Sequence, residues 1–141
     1  MHVKQSDLFL GLGHNFLKEI MAIAEKVTFD SGKILFREGN SANYFYIMIS
    51  GQISLILTEQ VVYTTSSLGE IFGCASIIGL DSYFVTAQCD QPSVLLRFDK
   101  NKMHKVLESD IDNGFVFFKQ LSGALAHRLH QIYQKISNKS G

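Results

Sequence analysis

Short runs of β-branched and aromatic residues, each closed by turn-forming residues, fill the stretch from Val27 to about Phe98. Such runs suit short strands, because Gly, Asn, Asp and Ser interrupt the chain before a helix could complete several turns. The interrupting segments are Asp30-Ser31-Gly32, Gly39-Asn40-Ser41, Ser50-Gly51 and Gly69. Many short strands in succession favour a sandwich or a roll over an open sheet, since both faces must be covered.

Helical periodicity flanks this stretch on both sides. Apolar residues between Phe16 and Ala24 recur on one helical face. Asp99 is a suitable N-cap for a short helix, and a longer apolar seam then continues to Ile136. We predict a mainly β fold with flanking helices, namely a double-stranded β-helix or jelly-roll-like β-roll with N-terminal helices and a long C-terminal helix. The single domain is expected over 1–141, with helices about 6–26, the β-roll about 27–98 and C-terminal helices about 100–137.

Charge and apolar content narrow the classes of partner. The 13 basic and 13 acidic residues give a net charge of zero, so no long-range field favours nucleic acid or an anionic membrane. The longest apolar run, Tyr44 to Ile49, is far too short to span a bilayer. We expect a cytoplasmic protein that binds no membrane, and no nucleic acid through this chain itself. Cys74 and Cys89 lack the spacing of a metal site, and no metal is predicted.

Several segments resemble the cyclic-nucleotide-binding domain family. The matching segments are Gly32–Asn40, Tyr44–Ile47, Ser50–Ile53, Leu68–Gly73 and Val94–Phe98. The first three are similar to the first half of that domain, and the last two look like the strands that enter and leave its phosphate-binding cassette. The resemblance covers about Leu8 to Ile136 and is to the sensor half of the catabolite activator (cAMP receptor) type of regulator. It implies a β-roll fold and a regulatory role in signal transduction.

The residues that hold the nucleotide in that family are replaced. The family's glutamate for the ribose hydroxyl falls on Cys74, and its arginine for the cyclic phosphate falls on Tyr83. The chain also has no Lys or Arg between Glu38 and Leu96. A desolvated phosphate needs charge-assisted donors, so we expect no tight binding of cAMP or cGMP.

The resemblance implies a pocket beside the cassette. Its expected lining is Phe72, Gly73, Cys74, Ala75, Ser76, Tyr83, Phe84 and Val85. A neutral, aromatic-lined cavity suits an apolar small ligand, whereas the alternative is that the same side chains fill the pocket as core. A true cyclic-nucleotide sensor of a transcription regulator stays open as another alternative, with a distant cation such as Arg128 replacing the arginine.

The long C-terminal helix carries apolar residues at steps of three and four, which is typical of a dimer seam. The expected seam is Leu121, Leu125, Leu129, Ile132 and Ile136. We therefore predict a homodimer. The resemblance also implies that this helix couples the pocket to a partner. Binding of a ligand in the pocket would change the helix, and the helix would act on an unknown protein partner.

Two further functions stay open. A haem or redox sensor could use Cys74 with His127 or His130, although no cofactor is the main expectation. A purely structural dimerisation module would need only the seam. No nucleophile motif is present, and the chain is predicted not to be an enzyme.

Overall fold

A computed structural model describes residues 8–140 of the chain. The helices are α1 (His14–Ile23), α2 (Lys100–Ser109) and α3 (Ile111–Ser140), and the strands are β1 (Glu25–Phe29), β2 (Ile34–Phe36), β3 (Tyr44–Leu57), β4 (Gln60–Thr65), β5 (Ile71–Phe72) and β6 (Thr86–Asp99). A short 3₁₀ turn spans Cys74–Ser76. The predicted fold class, mainly β with flanking helices and a long C-terminal helix, is confirmed.

The boundary between the first helix and the roll differs from the prediction, whereas the boundary after the roll agrees with it. Helix α1 ends at Ile23 and β1 already begins at Glu25, because Glu25 pairs with Arg97 of β6 and so joins the sheet. The predicted start near residue 6 lies outside the described residues. At the other end α2 begins at Lys100, and the Asp99 carboxylate accepts a hydrogen bond from the Lys102 N–H at 3.0 Å. None of the helices within residues 8–140 is both long and apolar enough to cross a membrane.

The roll is made by two long antiparallel strands, β3 and β6, that pair along both of their halves. One half pairs residues such as Phe45 with Phe98, and the other pairs residues such as Leu55 with Ala87. Strands β1 and β5 flank the first half, and β2 and β4 flank the second. The pairing shifts register between the two halves, so the sheet folds there into a roll.

The first half of β3 is buried on both faces. Phe45 and Ile47 pack with the helices, while Tyr46 and Met48 point into the roll. This explains why the run from Tyr44 to Ile49 is almost continuously apolar and does not alternate with polar residues.

The crease between the two halves depends on Gly51. Its φ of +101° is one that side chains rarely adopt, and a Cβ at this position would lie 2.6 Å from the Cα of Ser93. Ser93 is itself fixed, since its hydroxyl donates to the Gln91 carbonyl at 2.8 Å and accepts from the Gln52 N–H at 3.2 Å. Both backbone geometry and space therefore require glycine here.

We expect Gly51→Ala to lower the free energy of unfolding by about 2–4 kcal/mol, because it combines backbone strain with a collision against main-chain atoms. Gly32→Ala is the matched control, since Gly32 also has positive φ (+89°) but nothing within 4 Å of a new Cβ. The control should lose only about 1 kcal/mol. Urea unfolding of both variants measures the difference in the free energy of unfolding. Equal losses in the two variants would contradict the requirement for glycine at the crease.

Candidate functional site

A cavity of about 270 Å³ lies between the roll, the 3₁₀ turn and helix α3. Its lining is almost entirely apolar, with contributions from both halves of the sheet and from the helix. The lining residues are Phe36, Leu55, Val62, Tyr63, Gly73, Cys74, Ala75, Ile78, Leu80, Tyr83, Phe84, Val85, Leu125, Arg128 and Ile132.

The structure brings most of the predicted pocket residues to this cavity. Gly73, Cys74, Ala75, Tyr83, Phe84 and Val85 all lie on its wall. Phe72 and Ser76 do not, which corrects the prediction. Phe72 points into the roll and stacks on Tyr46 with ring centroids 5.2 Å apart, and the Ser76 hydroxyl turns back to donate to the Gly73 carbonyl at 3.0 Å.

Tyr83, at the place of the arginine expected from the resemblance, is built into the core. Its ring stacks on Phe36 with centroids 3.7 Å apart, and only 5% of its surface is exposed. The hydroxyl donates to the Tyr44 carbonyl at 2.6 Å and accepts from the Tyr44 N–H at 3.1 Å. Burial raises the pKa of this hydroxyl, so the group that fills the position is neutral. By contrast, Phe84 next to it is 65% exposed and stands at the rim.

Cys74, at the place of the expected glutamate, is also neutral. Burial raises the pKa of its thiol to about 11, against a smaller opposing effect of the Arg128 charge. A protonated thiol is a weak hydrogen-bond donor and cannot replace a carboxylate acceptor. Neither of the two cassette positions implied by the resemblance therefore carries a charge.

The histidines of the haem alternative lie on α3, where His127 is half-buried and His130 is exposed. Across residues 8–140, no three His, Cys, Asp or Glu side chains come together as a metal-binding group. The haem or redox alternative through Cys74 stays a prediction.

Arg128 brings a cation to the cavity from helix α3. Its guanidinium lies over the Tyr63 ring, 4.7 Å from the centroid, and donates a hydrogen bond to the Ile71 carbonyl. The Tyr63 hydroxyl in turn donates to Glu70 Oε2 at 2.8 Å and lies 3.2 Å from Gln131 Oε1. These contacts tie the helix to β4 and to the start of β5.

The buried carboxylate of Glu70 completes this group from behind the cavity wall. Its Oε1 accepts from the Ser66 and Ser67 N–H groups at 3.2 and 2.9 Å, and its Oε2 accepts from Tyr63. A buried carboxylate is stable only with such donors. Glu70 therefore supports Tyr63 and the loop and is not part of the lining.

The predicted dimer seam is divided by the structure. Leu121 is 1% exposed and packs in the chain's own core, so it cannot contact a second copy as the prediction required. Leu125 and Ile132 are half-buried and line the cavity. Leu129 and Ile136 are 47% and 59% exposed.

A different apolar stripe follows α3 at alternating steps of four and three residues. This set of residues is called the stripe of α3. Its apolar members are Ile111, Phe115, Phe118, Leu125, Leu129, Ile132 and Ile136, and Ser122 occupies the remaining position of the spacing. All but Leu125 and Ile132 are exposed. This spacing is that of a heptad repeat.

Sequence reasoning missed much of the cavity wall. Phe36, Tyr63, Ile78 and Leu80 lie on separate elements, and no local pattern joins them. The spacing of Arg128 did carry information, because residues 125, 128 and 132 share one helical face and two of them are apolar. In the structure this cation contacts the Ile71 carbonyl and the Tyr63 ring.

Comparisons with known proteins agree with this geometry. The family model described as "Cyclic nucleotide-binding domain" matches residues 26–110. The potassium channel KAT1 of Oryza sativa subsp. japonica is 24% identical over 84% of this chain and 17% of the channel. The cAMP-dependent protein kinase regulatory subunit of Schizosaccharomyces pombe is 26% identical over 67% of this chain and 23% of the subunit. The chain thus spans about a fifth of the length of these curated relatives.

Solved structures give the same result. The sensor domain of the transcriptional regulator DNR from Pseudomonas aeruginosa is 29% identical, with a TM-score of 0.69 over 87% of this chain and 85% of that one. A cyclic nucleotide-binding domain from Methylobacillus flagellatus has a TM-score of 0.83 over 97% of this chain and 79% of that one. At 17% identity the second likeness shows the fold alone.

The raised pKa of Cys74 has a measurable consequence. At pH 8 its thiolate fraction should be about a hundredfold smaller than in the unfolded chain, and iodoacetamide should react correspondingly slowly. The logarithm of the rate should rise with pH up to about 11. Peptide mass spectrometry resolves Cys74 from Cys89, and guanidinium-unfolded protein gives the reference rate.

The same shift has a defined sign for stability. Because the native thiol keeps its proton between pH 9.0 and about 11 while the unfolded one loses it, the contribution of Cys74 is full below pH 9.0 and declines as the pH rises towards 11. Cys74→Ser removes this dependence. If Cys74 were alkylated at pH 8 as fast in the native protein as in the unfolded protein, the raised pKa of its thiol would be contradicted.

Proposed function

Because the chain belongs to the cyclic nucleotide-binding domain family, we propose that it is a non-catalytic regulatory sensor whose cavity takes a small apolar molecule and does not bind cAMP or cGMP tightly. The placement of Tyr83 carries this proposal. At the position where the resemblance puts the family's arginine, this chain has a ring that stacks on Phe36 and a hydroxyl that donates to the Tyr44 carbonyl. Phosphate entering there would lose its water without gaining a cation.

The size of the cavity supports a smaller ligand than a cyclic nucleotide. Benzene, with six carbon atoms, occupies an engineered cavity of about 150 Å³. By the same ratio, the volume of about 270 Å³ accommodates about ten or eleven non-hydrogen atoms of the enclosed part of a ligand. A cyclic mononucleotide has roughly twice that number.

The position of α3 supports a signalling role. Leu125, Arg128 and Ile132 line the cavity, so a ligand held there would contact the roll and the long helix together. A ligand can shift a conformational equilibrium only through contacts that differ between the two states. A ligand that bridges the roll and α3 would favour the arrangement that keeps both sets of contacts.

A thermal-shift assay tests the ligand class. With about 1 mM indole we expect a rise in melting temperature, since a ligand at ten times its Kd adds about 1.4 kcal/mol, or roughly 3–6 °C here. The same concentration of cAMP, cGMP or cyclic di-GMP should leave the melting temperature unchanged.

Val85→Trp is the control for the site, because a larger side chain on the wall should fill the cavity and remove the indole effect. A clear shift with a cyclic nucleotide on the wild-type chain would overturn the proposal.

The stripe of α3 supports dimerisation as the second part of the proposed function. Five of its apolar side chains are exposed on one helix, and exposed apolar patches of this kind mark interaction surfaces. A second copy of α3 supplies the same heptad spacing, which allows knobs-into-holes packing along a shared axis. We assign the homodimer to this stripe, without Leu121.

The double substitution Leu129→Asp and Ile136→Asp should weaken the dimer at least about a hundredfold, because two apolar side chains are lost from each copy and charges are placed in the seam. The fold should persist, since both side chains are exposed within one chain. Gln134→Asp, also exposed on α3 but outside the stripe, is the control. Sedimentation equilibrium measures the dissociation constants, and an unchanged constant in the double variant would exclude this seam.

A further inference from the structure

We infer that the ligand of the cavity is a linear alkyl chain of up to about ten or eleven carbons, with an uncharged polar end that stays in water at the rim. This inference rests on the proposed function, since it names the chemical class of the apolar molecule that the sensor takes. It adds which end of that molecule enters the cavity and what limits its length.

The buried aromatic rings of the wall are already engaged by other groups of the protein. Tyr83 stacks on Phe36 with centroids 3.7 Å apart, and the Arg128 guanidinium lies over the Tyr63 ring, 4.7 Å from its centroid. All three rings are buried, whereas the fourth aromatic residue, Phe84, stands at the rim. Few ring faces are left for a ligand to stack on, so the usual gain of an aromatic pair is not available inside the cavity.

The rest of the wall is mainly aliphatic and comes from several elements. Leu55 lies on β3, Val62 on β4 and Ile132 on α3, while Val85 directly precedes β6. Cys74 adds a thiol that burial keeps neutral. Such a wall stabilises methylene groups by removing their surface from water, and it provides little for a polar group in the enclosed part of a ligand.

The exposure of the lining gives the cavity a closed side and an open side. Leu55 is 6% exposed, whereas Ile78, Leu80 and Phe84 are 47%, 36% and 65% exposed and mark the rim. A chain with an apolar tail and a polar end suits this difference, because the tail needs no hydrogen-bond partner and the polar end keeps its water.

The polar end is expected to be uncharged. Arg128 is the one charged residue of the lining within residues 8–140, and its guanidinium is engaged by the Tyr63 ring and the Ile71 carbonyl. A charged end drawn towards the wall would lose water without a free partner of opposite charge, which a hydroxyl in the rim water avoids.

The volume of the cavity limits the length of the tail. A volume of about 270 Å³ accommodates about ten or eleven enclosed non-hydrogen atoms. Each enclosed methylene should raise the affinity about fourfold. A methylene beyond that number lies outside the rim and should add little, so the affinity rises with chain length and then levels off.

The test titrates the purified chain into straight-chain primary alcohols from hexanol to dodecanol, each below its solubility limit, by isothermal titration calorimetry. We expect the dissociation constant to fall about fourfold per methylene up to about ten or eleven carbons and to change less than about twofold from undecanol to dodecanol. 2-Phenylethanol, which has as many non-hydrogen atoms as octanol, should bind at least about tenfold more weakly than octanol.

Variants of the wall should move the length at which the affinity levels off. Ala75→Leu adds about three carbons to the wall and should shorten that length by about two or three carbons. Val85→Ala removes about two carbons, so dodecanol should still gain over undecanol, and this variant carries the test if Ala75→Leu does not fold. Val61→Leu is the control, since Val61 is exposed and outside the lining, and it should behave as wild type.

The outcomes separate the two proposals. The alkyl assignment is overturned, while the apolar cavity stands on the indole result, if 2-phenylethanol binds as tightly as octanol, if the affinity of wild type keeps rising to dodecanol, or if the wall variants level off at the wild-type length. If neither the alcohols nor indole bind to wild type, the proposed function itself fails.

Discussion

The pairing of β3 with β6 across the crease at Gly51 is the constraint on which the rest of the molecule depends. Each strand contributes to both halves of the roll, so the crease sets how the halves face one another. The helices cover the outer face through Phe45 and Ile47, and the inner face closes around Tyr46 and Met48. The cavity lies where the roll and the 3₁₀ turn meet helix α3.

At the two positions where the resemblance puts charged residues, this chain has a neutral thiol and an aromatic ring. Tyr83 gives the core a stacked ring and a hydroxyl whose partners are both on the Tyr44 backbone. Cys74 places a neutral thiol on the wall, and burial keeps it protonated over the physiological range. At these two positions the wall is apolar or neutral and offers a phosphate no charged partner.

Side chains of helix α3 lie in three different environments. Leu121 packs in the core, Arg128 reaches the cavity and Leu129 faces outward. Since a helix turns by 100° per residue, these three environments can alternate along one continuous segment. The contact between Arg128 and Tyr63, supported by Glu70, joins the helix to the sheet at the level of the cavity. A ligand placed there would act at that junction.

By itself, the sequence determined the order of the elements, the roll, the long final helix and the absence of charge at the cassette positions. The order of the elements and the final helix follow from the spacing of turn residues and the periodicity of apolar residues, whereas the roll and the cassette positions follow from the resemblance to the family. Only the tertiary structure decided which neighbours each apolar face meets. Periodicity marks one face of α3 but does not say whether Leu121 contacts the chain's own core or a second copy. The same holds for Phe72 and Ser76. Phe72 stacks on Tyr46, which is distant in sequence, and the Ser76 hydroxyl donates to the Gly73 carbonyl within the local turn, so neither side chain lines the cavity.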